Sequence, residues 1–262
     1  MKEININGIT VFDYEGEKAP LIFIHAFPLS SEMWSKQVSF FKDKYRVITY
    51  DVRGLGKSKQ NNNQFTLEEY ANDLLSIYEN LHLNKICACG LSMGGYIILR
   101  ALEKAPEIFS CVILADTRAE RDTDEVLISR SNAIIDIKSG KVYDVLNEYL
   151  KKLLSEKSYN DKDIKEYVFN IMKSNSEEGI IGALLAIATR TTTLESLKNL
   201  KIPALILVGE QDTLTPIQYS ESMNKLLINS TLDIIPNSGH LSNIENPEYF
   251  NNSIYKFLQK NL

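Results

Sequence analysis

The sequence predicts an α/β protein in which helices cover both faces of a mostly parallel sheet and a helical lid is inserted. Short apolar runs, such as residues 20–25 and 203–209, have the pattern of strands buried on both faces, and amphipathic helical segments separate them. Residues 118–200 contain no convincing strand and carry apolar side chains at helical spacing. The sequence therefore predicts a core domain, residues 1–117 and 201–262, interrupted by a helical lid at residues 118–200.

The composition is that of an ordinary globular protein. The 262 residues carry a net charge of −5 and are 44% hydrophobic and 24% charged. A chain of this charge has no positive electrostatic field that would attract nucleic acid or an anionic membrane. Neutral or weakly polar small molecules are the expected ligands, and we expect a monomer or a small homo-oligomer. Residues 1–7 have no apolar core of signal-peptide length, and no later run is as long as a membrane span, which predicts a cytoplasmic location.

The predicted strands follow one another with turn signals between them. Asn7-Gly8 favours the positive φ angles of a type I′ turn, so we expect the chain to begin with an antiparallel hairpin. The remaining strands are predicted in short apolar runs at residues 20–25, 45–50, 86–89, 110–115, 203–209 and 231–235. The polar tract at residues 60–64 is expected to be a surface loop.

The predicted helices carry start and stop signals. Capping signals mark three helix starts: Thr66 with Glu69, Thr215 before Pro216, and Asn246 before Pro247. Trp34 is expected to lie on an amphipathic helix. The lid is expected to contain three or four helices, with breaks at residues 139–140, near 159–161 and at 174–176.

The cysteines do not indicate a disulfide framework or a metal cluster. Cys87, Cys89 and Cys111 are odd in number and lie in apolar strand-like runs. Residues 87 and 89 would face opposite sides of a strand. We therefore predict that all three are core thiols and that the protein uses no metal and no cofactor.

The most informative motif is the G-x-S-x-G sequence formed by Gly90, Ser92 and Gly94. An apolar strand precedes it, and a helix that is stopped by Pro106 follows it. A sharp strand-to-helix turn forces the serine into strained backbone angles and leaves no room for Cβ atoms two residues away on either side. The motif therefore predicts that the Ser92 hydroxyl is exposed at the carboxyl end of a strand.

Two further residues are expected to meet Ser92 at the same edge of the sheet. Asp212 and His240 each follow a predicted strand, and the carboxyl ends of parallel strands share one edge. A serine hydroxyl needs an imidazole to take its proton and a carboxylate to hold that imidazole. The chain order of serine, acid and histidine therefore predicts Ser92 as nucleophile, His240 as base and Asp212 as the acid that orients it.

Other titratable residues have alternative interpretations. Asp116 also follows a strand and stays open as an alternative acid. Glu210 is interpreted as a carboxylate that supports its own turn. His25 closes a strand near the site and is interpreted as a histidine that braces the next loop by hydrogen bonds, whereas His82 lies at a helix end and is interpreted as solvated.

The oxyanion of an acyl-transfer reaction needs two fixed hydrogen-bond donors. The nucleophile turn supplies one of them as the backbone N–H of Met93. The tight turn at Phe27-Pro28 can aim the backbone N–H of Phe27 at the same point. Residues 51–58 have turn composition, and their Asp, Arg, Gly and Ser residues are interpreted as fixing that turn.

Four separated segments resemble the α/β-hydrolase fold superfamily, and the resemblance covers nearly the whole chain. They are residues 25–28 as its oxyanion loop, residues 51–58 as the turn after its fourth strand, residues 90–95 as its nucleophile turn, and residues 239–240 as its catalytic histidine loop. Residues 90–96 and 114–119 are most similar to carboxylesterases, 3-oxoadipate enol-lactonases and cofactor-free haloperoxidases. Ala26 departs from the glycine usual in that loop. Haloalkane dehalogenases and epoxide hydrolases of this fold have an aspartate in place of Ser92.

The resemblance implies a serine hydrolase that cleaves a small or medium carboxylic ester or lactone through an acyl-enzyme. The helical lid is expected to cover the pocket, and its Leu, Ile and Tyr content predicts an apolar site. One alternative is a perhydrolase or haloperoxidase-type activity, in which peroxide replaces water. Another is a ligand-binding receptor that keeps the fold without turnover.

Overall fold

A computed structural model describes residues 1–58 and 65–262, so the surface loop predicted at residues 60–64 lies outside the described residues. The strands are β1 Lys2–Ile6, β2 Ile9–Asp13, β3 Pro20–Ile24, β4 Arg46–Tyr50, β5 Ile86–Leu91, β6 Phe109–Ala115, β7 Ala204–Gly209 and β8 Ser230–Ile235. The first helices are α1 Ser35–Phe41, α2 Leu67–Asn80, α3 Met93–Lys104, α4 Asp124–Lys138, α5 Val142–Leu153 and α6 Glu156–Asn160. The others are α7 Lys162–Lys173, α8 Glu177–Ala188, α9 Leu194–Leu197, α10 Ile217–Leu226, α11 Ser242–Glu245 and α12 Pro247–Asn261. Short 3₁₀ helices form at Ser31–Trp34 and Pro106–Ile108.

The strands form one eight-stranded sheet in the order β1-β2-β4-β3-β5-β6-β7-β8. The first two strands form the predicted antiparallel hairpin, with Asn7 at a φ of 52° and Gly8 at a φ of 85°. Strand β2 is antiparallel to β4, and all the pairings from β4 to β8 are parallel. The mostly parallel α/β sheet predicted from the sequence is therefore confirmed.

Helices pack on both faces and bury the central strands. Helix α2 packs on α3, which contacts β3, β5 and β6, whereas α1 packs on α12, which contacts β6, β7 and β8. Every residue of β5 and β7 is buried, as their continuous apolar runs predict. The three cysteines are free and buried within this core, in agreement with their interpretation as core thiols.

Six helices, α4 to α9, connect β6 to β7, and residues 118–200 contain no strand among the described residues. The expected number of three or four was too low. The predicted breaks separate α4 from α5, α6 from α7 and α7 from α8, but α6 and α9 are too short for apolar periodicity to detect. Ser155 caps α6 through its side chain, and its N–H donates to Glu245 Oε2 at 2.9 Å. The division into a core and a lid at these boundaries stays a prediction.

Two of the three predicted helix caps are present, and one is wrong. Thr66 and Glu69 form a capping box at the start of α2, and the Asn246 side chain accepts a hydrogen bond from Tyr249 N. Helix α10 begins at Ile217, one residue later than predicted, because the Thr215 side chain bonds to Asp212 instead of capping the helix. Within the described residues, no helix is long and apolar enough to cross a membrane.

Candidate active site

Ser92 lies in the tight turn that joins β5 to α3. Its φ of 54° and ψ of −111° are rare for a residue with a side chain. The Ser92 N–H donates to Ala115 O at 2.9 Å, and the Ser92 carbonyl oxygen accepts from Thr117 Oγ1 at 2.8 Å. Hydrogen bonds therefore fix the peptide groups on both sides of Ser92. The side chain lines a cavity, and its hydroxyl has no hydrogen-bond partner within residues 1–58 and 65–262.

The glycines around Ser92 are required by close backbone approaches. A Cβ on Gly90 would lie 2.3 Å from the carbonyl carbon of Gly94, and a Cβ on Gly94 would lie 2.1 Å from Ile24 O. A Cβ on Gly95 would lie 2.4 Å from Thr117 Oγ1. The crowding that the G-x-S-x-G spacing predicts is therefore present on both sides of the serine.

Asp212 and His240 form a buried pair at the ends of β7 and β8. His240 Nδ1 lies 2.8 Å from Asp212 Oδ2, and the two residues are 2% and 6% exposed. Asp212 Oδ1 also accepts from the N–H groups of Leu214 and Thr215 at 2.8 and 3.0 Å, and Oδ2 accepts from Thr215 Oγ1 at 2.6 Å. Because Nδ1 faces the carboxylate, Nε2 is the ring nitrogen left for another group.

The pair shifts the pKa values of both partners towards the charged forms. Burial alone would raise the pKa of Asp212, but the neighbouring His240 charge and the hydrogen bonds from His240 and Thr215 hold it below its ordinary value. Burial alone would lower the pKa of His240, but the charge and hydrogen bond of Asp212 raise it above 6.5. An imidazolium is therefore stabilised at this position.

Asp116, the alternative acid, is engaged elsewhere. Its Oδ1 accepts from Gly209 N at 2.7 Å and its Oδ2 accepts from Ser242 Oγ at 2.5 Å, and within the described chain it has no hydrogen bond to the His240 ring. Burial raises the pKa of its carboxyl well above the ordinary value, and the Asp212 charge adds to this. The structure therefore brings Asp212, and not Asp116, into contact with the histidine.

The two predicted oxyanion donors are free backbone groups. Phe27 follows β3 and lines the cavity, and Met93 is the first residue of α3. Neither N–H has a hydrogen-bond partner in the part of the chain that the structure describes. Ala26, at the position where the resembling loops have glycine, is fully buried in the core, and its N–H donates to Met33 Sδ at 3.2 Å.

His25 has the bracing role that the sequence predicts. It is fully buried, and its Nε2 accepts from Val52 N at 2.8 Å, so Nδ1 carries the proton and donates to Ala26 O at 2.9 Å. These bonds tie the loop after β3 to the turn after β4. His82 is exposed after α2. Glu210 accepts from Asn237 N at 2.9 Å, so its carboxylate supports the turn after β8 and not its own turn, which differs from the prediction.

Residues 51–58 form a turn that is stabilised by hydrogen bonds to Asp51. Asp51 accepts from Ser31 N and Lys57 N at 2.8 Å each, and its carbonyl oxygen accepts from Ser58 Oγ at 2.6 Å. A Cβ on Gly56 would lie 2.3 Å from Asp51 Cγ. The structural interpretation of this segment is therefore confirmed.

Ser92 and His240 line the same cavity, whose volume is about 530 Å³. Its apolar wall comprises Phe27, Val126, Val145, Leu153, Ile187 and Leu214. Charged side chains of both signs also line the cavity, so the expectation of an apolar site holds for only part of the wall. They are Arg118, Arg130, Lys141, Lys152, Glu125, Asp136, Asp144 and Glu148. Among the described residues, no group of three or more His, Cys, Asp or Glu side chains could hold a metal ion.

Sequence reasoning missed three residues of this site. Thr215 binds the Asp212 carboxylate next to an Asx turn, in which Leu214 N donates to Asp212 Oδ1, and an aspartate in a loop is the sequence signal for such a turn. Arg118 and Arg130 carry no local signal, because only the packing of the connecting helices brings them to the cavity.

Comparisons with known proteins agree with this architecture. A family model described as the alpha/beta hydrolase fold matches residues 19–247. A 3-oxoadipate enol-lactonase from Acinetobacter baylyi is 30% identical over 89% of this chain and 86% of its own length. A non-heme chloroperoxidase from Burkholderia pyrrocinia is 28% identical over 92% of this chain and 91% of its own. A thermophilic esterase from Thermogutta terrifontis, solved with malate bound, superposes with a TM-score of 0.94 at 30% identity, covering 99% of each chain. The chain therefore belongs to the α/β-hydrolase fold family, and the resemblance to enol-lactonases and haloperoxidases is confirmed.

Proposed function

We propose that this protein is a serine hydrolase that cleaves a small or medium carboxylic ester or lactone through an acyl-enzyme. One observation carries the proposal: Ser92, held on a strained turn, lines the same cavity as His240, whose Nδ1 is bound to the Asp212 carboxylate. This arrangement combines a nucleophile, a base and a carboxylate that orients the base.

In the proposed mechanism, Ser92 Oγ attacks the ester carbonyl carbon while His240 Nε2 takes the hydroxyl proton. The N–H groups of Phe27 and Met93 donate to the resulting oxyanion. The tetrahedral intermediate then breaks its bond to the leaving alkoxide, which receives the proton from His240 and departs as an alcohol. For a lactone, this alcohol remains part of the acyl group.

Deacylation repeats the same steps with water. His240 takes a proton from a water molecule, the resulting hydroxide attacks the acyl carbon, and the proton returns to Ser92 Oγ as the acid leaves. The raised pKa of His240 supports this role, because Asp212 stabilises the imidazolium that forms in each step. The names of the enol-lactonase and esterase relatives support an ester or lactone bond as the target.

The similarity to a non-heme chloroperoxidase favours a second candidate activity. In this perhydrolase reaction, hydrogen peroxide replaces water in attacking the acyl-enzyme, and a peracid leaves instead of an acid. A comparison of acid and peracid formation with and without peroxide distinguishes it from hydrolysis, because a perhydrolase forms peracid at a rate that competes with water.

The first test is the hydrolysis of p-nitrophenyl esters from acetate to decanoate by the wild type and by Ser92→Ala. We expect activity that peaks at one chain length in the wild type and is lost in Ser92→Ala. Ser253→Ala is the matched control, because Ser253 lies on α12, donates to Asp233 Oδ2 of β8 at 2.6 Å and does not line the cavity. Full activity in Ser92→Ala would overturn the proposal.

A further inference from the structure

Glu245 joins the loop that carries His240 to the helices that connect β6 to β7. Its Oε1 accepts from Gly239 N at 2.9 Å, and its Oε2 accepts from Ser155 N at 2.9 Å. Gly239 directly precedes His240, and Ser155 is the residue that caps α6. Within residues 1–58 and 65–262, no other group donates a hydrogen bond to the Glu245 side chain. One carboxylate therefore bridges two backbone N–H groups that lie far apart in the sequence.

The segment that leads into α6 packs directly against the histidine loop. Leu241 N donates to Leu153 O at 3.1 Å, and Leu153 also lines the cavity. A Cβ on Gly239 would lie 2.6 Å from Ser155 N, so a side chain at position 239 would force the two segments apart. The backbone N–H groups on both sides of the histidine are therefore bound, at residue 239 and at residue 241.

Helix α11, which carries Glu245, is anchored to the core. Ser242 Oγ donates to Asp116 Oδ2 at 2.5 Å, and Asn243 Nδ2 donates to Met33 O at 3.0 Å. Both side chains of α11 are fully buried. A short helix that is bound in this way gives the Glu245 carboxylate a fixed position, so its hydrogen bonds restrain the histidine loop.

We propose that Glu245 is a positioning residue that holds the histidine loop against the start of α6, so that His240 Nε2 stays directed at the Ser92 hydroxyl. This inference rests on the proposed function. Asp212 binds the His240 ring at Nδ1, but a hydrogen bond to the ring does not fix the backbone that carries it. The hydrogen bonds of Glu245 fix that backbone, and a displacement of about 1 Å at a reacting group can cost as much as about a hundredfold in rate.

The negative charge of Glu245 also acts on His240. Burial lowers the pKa of His240, the Asp212 carboxylate is the charge that raises it most, and the charges of Asp116 and Glu245 raise it further. These three carboxyl groups, after β7, after β6 and on α11, are the charged groups that act on the ring within the described chain. Removing the Glu245 charge should therefore lower the pKa of His240.

The test is Glu245→Gln, which keeps the shape of the side chain but leaves one oxygen to accept from two N–H groups. With the best p-nitrophenyl ester we expect kcat to fall about tenfold or more and KM to stay within about twofold, because hydrogen bonds to a charged group are lost outside the cavity. The acid limb of kcat/KM should move to lower pH. Glu210→Gln is the matched control, because Glu210 accepts from Asn237 N of the same turn and has no hydrogen bond to Gly239.

A second variant, Glu245→Asp, separates position from charge. It keeps the negative charge, but its side chain is one methylene shorter and cannot reach both N–H groups, so kcat should again fall. If Glu245→Gln does not fold, Glu245→Asp decides the question alone, and a wild-type kcat in Glu245→Asp would overturn the inference. An unchanged kcat in Glu245→Gln, a loss confined to KM, or an equal loss in Glu210→Gln would do the same and leave the hydrolase intact.

If the wild type cleaves no ester, the proposed function fails, and NMR titration of the His240 ring still tests the role of Glu245. We expect a lower His240 pKa in Glu245→Gln and in Glu245→Asp than in the wild type, and no change in Glu210→Gln. Because Glu245→Asp keeps the charge, its lower pKa would report a displaced loop. A pKa that falls in Glu245→Gln alone would mean that only the charge matters, and it would refute the positioning role, as would an equal pKa in all four proteins.

Discussion

Two buried aspartates at the ends of neighbouring strands have opposite chemistry. Asp116 follows β6 and Asp212 follows β7, and the strands pair in parallel up to Ala115 opposite Leu207. Asp212 contacts His240 and accepts hydrogen bonds from Leu214 and Thr215. Asp116 accepts only from one backbone N–H and one serine hydroxyl within the described part of the chain. Asp116 and Asp212 therefore share a position at the edge of the sheet but differ in the hydrogen-bond donors around their carboxylates.

The difference shows which interactions allow a buried acid to be charged. Burial raises the pKa of both carboxyls, and for Asp116 burial dominates, so its pKa lies well above the ordinary value. For Asp212 burial is outweighed by the charge and hydrogen bond of His240 and by the hydrogen bonds from Thr215, so its pKa is lowered. The direct hydrogen bond to His240 therefore distinguishes Asp212 from Asp116, which joins Gly209 of β7 to Ser242 of α11.

The strongest test of this comparison is Asp212→Asn. The change keeps the shape of the side chain but removes the charge that stabilises the imidazolium, and we expect kcat to fall about 10³- to 10⁴-fold. Steady-state hydrolysis of the best p-nitrophenyl ester measures it, with Asp116→Asn as the matched control. Loss of activity in Asp116→Asn with full activity in Asp212→Asn would assign the acid to Asp116.

The pH dependence of wild-type activity tests the effect of the Asp212 charge on the pKa of His240. His240 must be neutral to accept the Ser92 proton, so activity is lost as the pH falls through the His240 pKa. Because Asp212 raises that pKa, the acid limb of kcat/KM should have its midpoint above 6.5 and should move to lower pH in Asp212→Asn. An acid limb that stays unchanged in the variant would contradict the coupling.

The nucleophile turn and the histidine loop were predictable because their signals are local. The glycines that the turn needs lie within three residues of Ser92, and Asp212 follows the continuous apolar strand β7. His240 follows the shorter apolar pattern of β8. The choice between Asp116 and Asp212 depended on tertiary donors, and sequence alone left both open.

The helices that connect β6 to β7 show which features have no local sequence signal. Helices α6 and α9 contain only five and four residues, so periodicity could not reveal them. Thr215 has the composition of a helix cap, but the nearby Asp212 carboxylate competes for its hydroxyl. Arg118 and Arg130 reach the cavity only after the helices pack.

Thr215→Val tests the contribution of one donor to Asp212. The variant keeps the side-chain shape and the backbone N–H but removes the hydroxyl that donates to Oδ2 at 2.6 Å. We expect kcat/KM to fall about tenfold, the loss typical of one hydrogen bond to a charged group, and Thr215→Ser should restore most of it. Equal losses in both variants would show that packing of the methyl group is what matters at this position.

Asp116→Asn should have the smallest effect on catalysis and a measurable effect on stability. Asparagine can accept from Gly209 N and donate to Ser242 Oγ, so kcat/KM should stay within about fivefold of the wild type. Because the pKa of Asp116 is raised in the folded protein, the folded state binds more protons than the unfolded state as the pH rises above 3.8.

The ionisation of Asp116 therefore lowers the free energy of unfolding of the wild type as the pH rises through this range, and the asparagine has no proton to lose. The other titrating groups are the same in both proteins, so the difference between their free energies of unfolding isolates this carboxyl. Urea unfolding at pH 4 and pH 7.5 should show the variant gaining stability relative to the wild type at the higher pH. A relative loss at pH 7.5 would mean that the folded protein prefers Asp116 ionised, and the contrast with Asp212 would then fail.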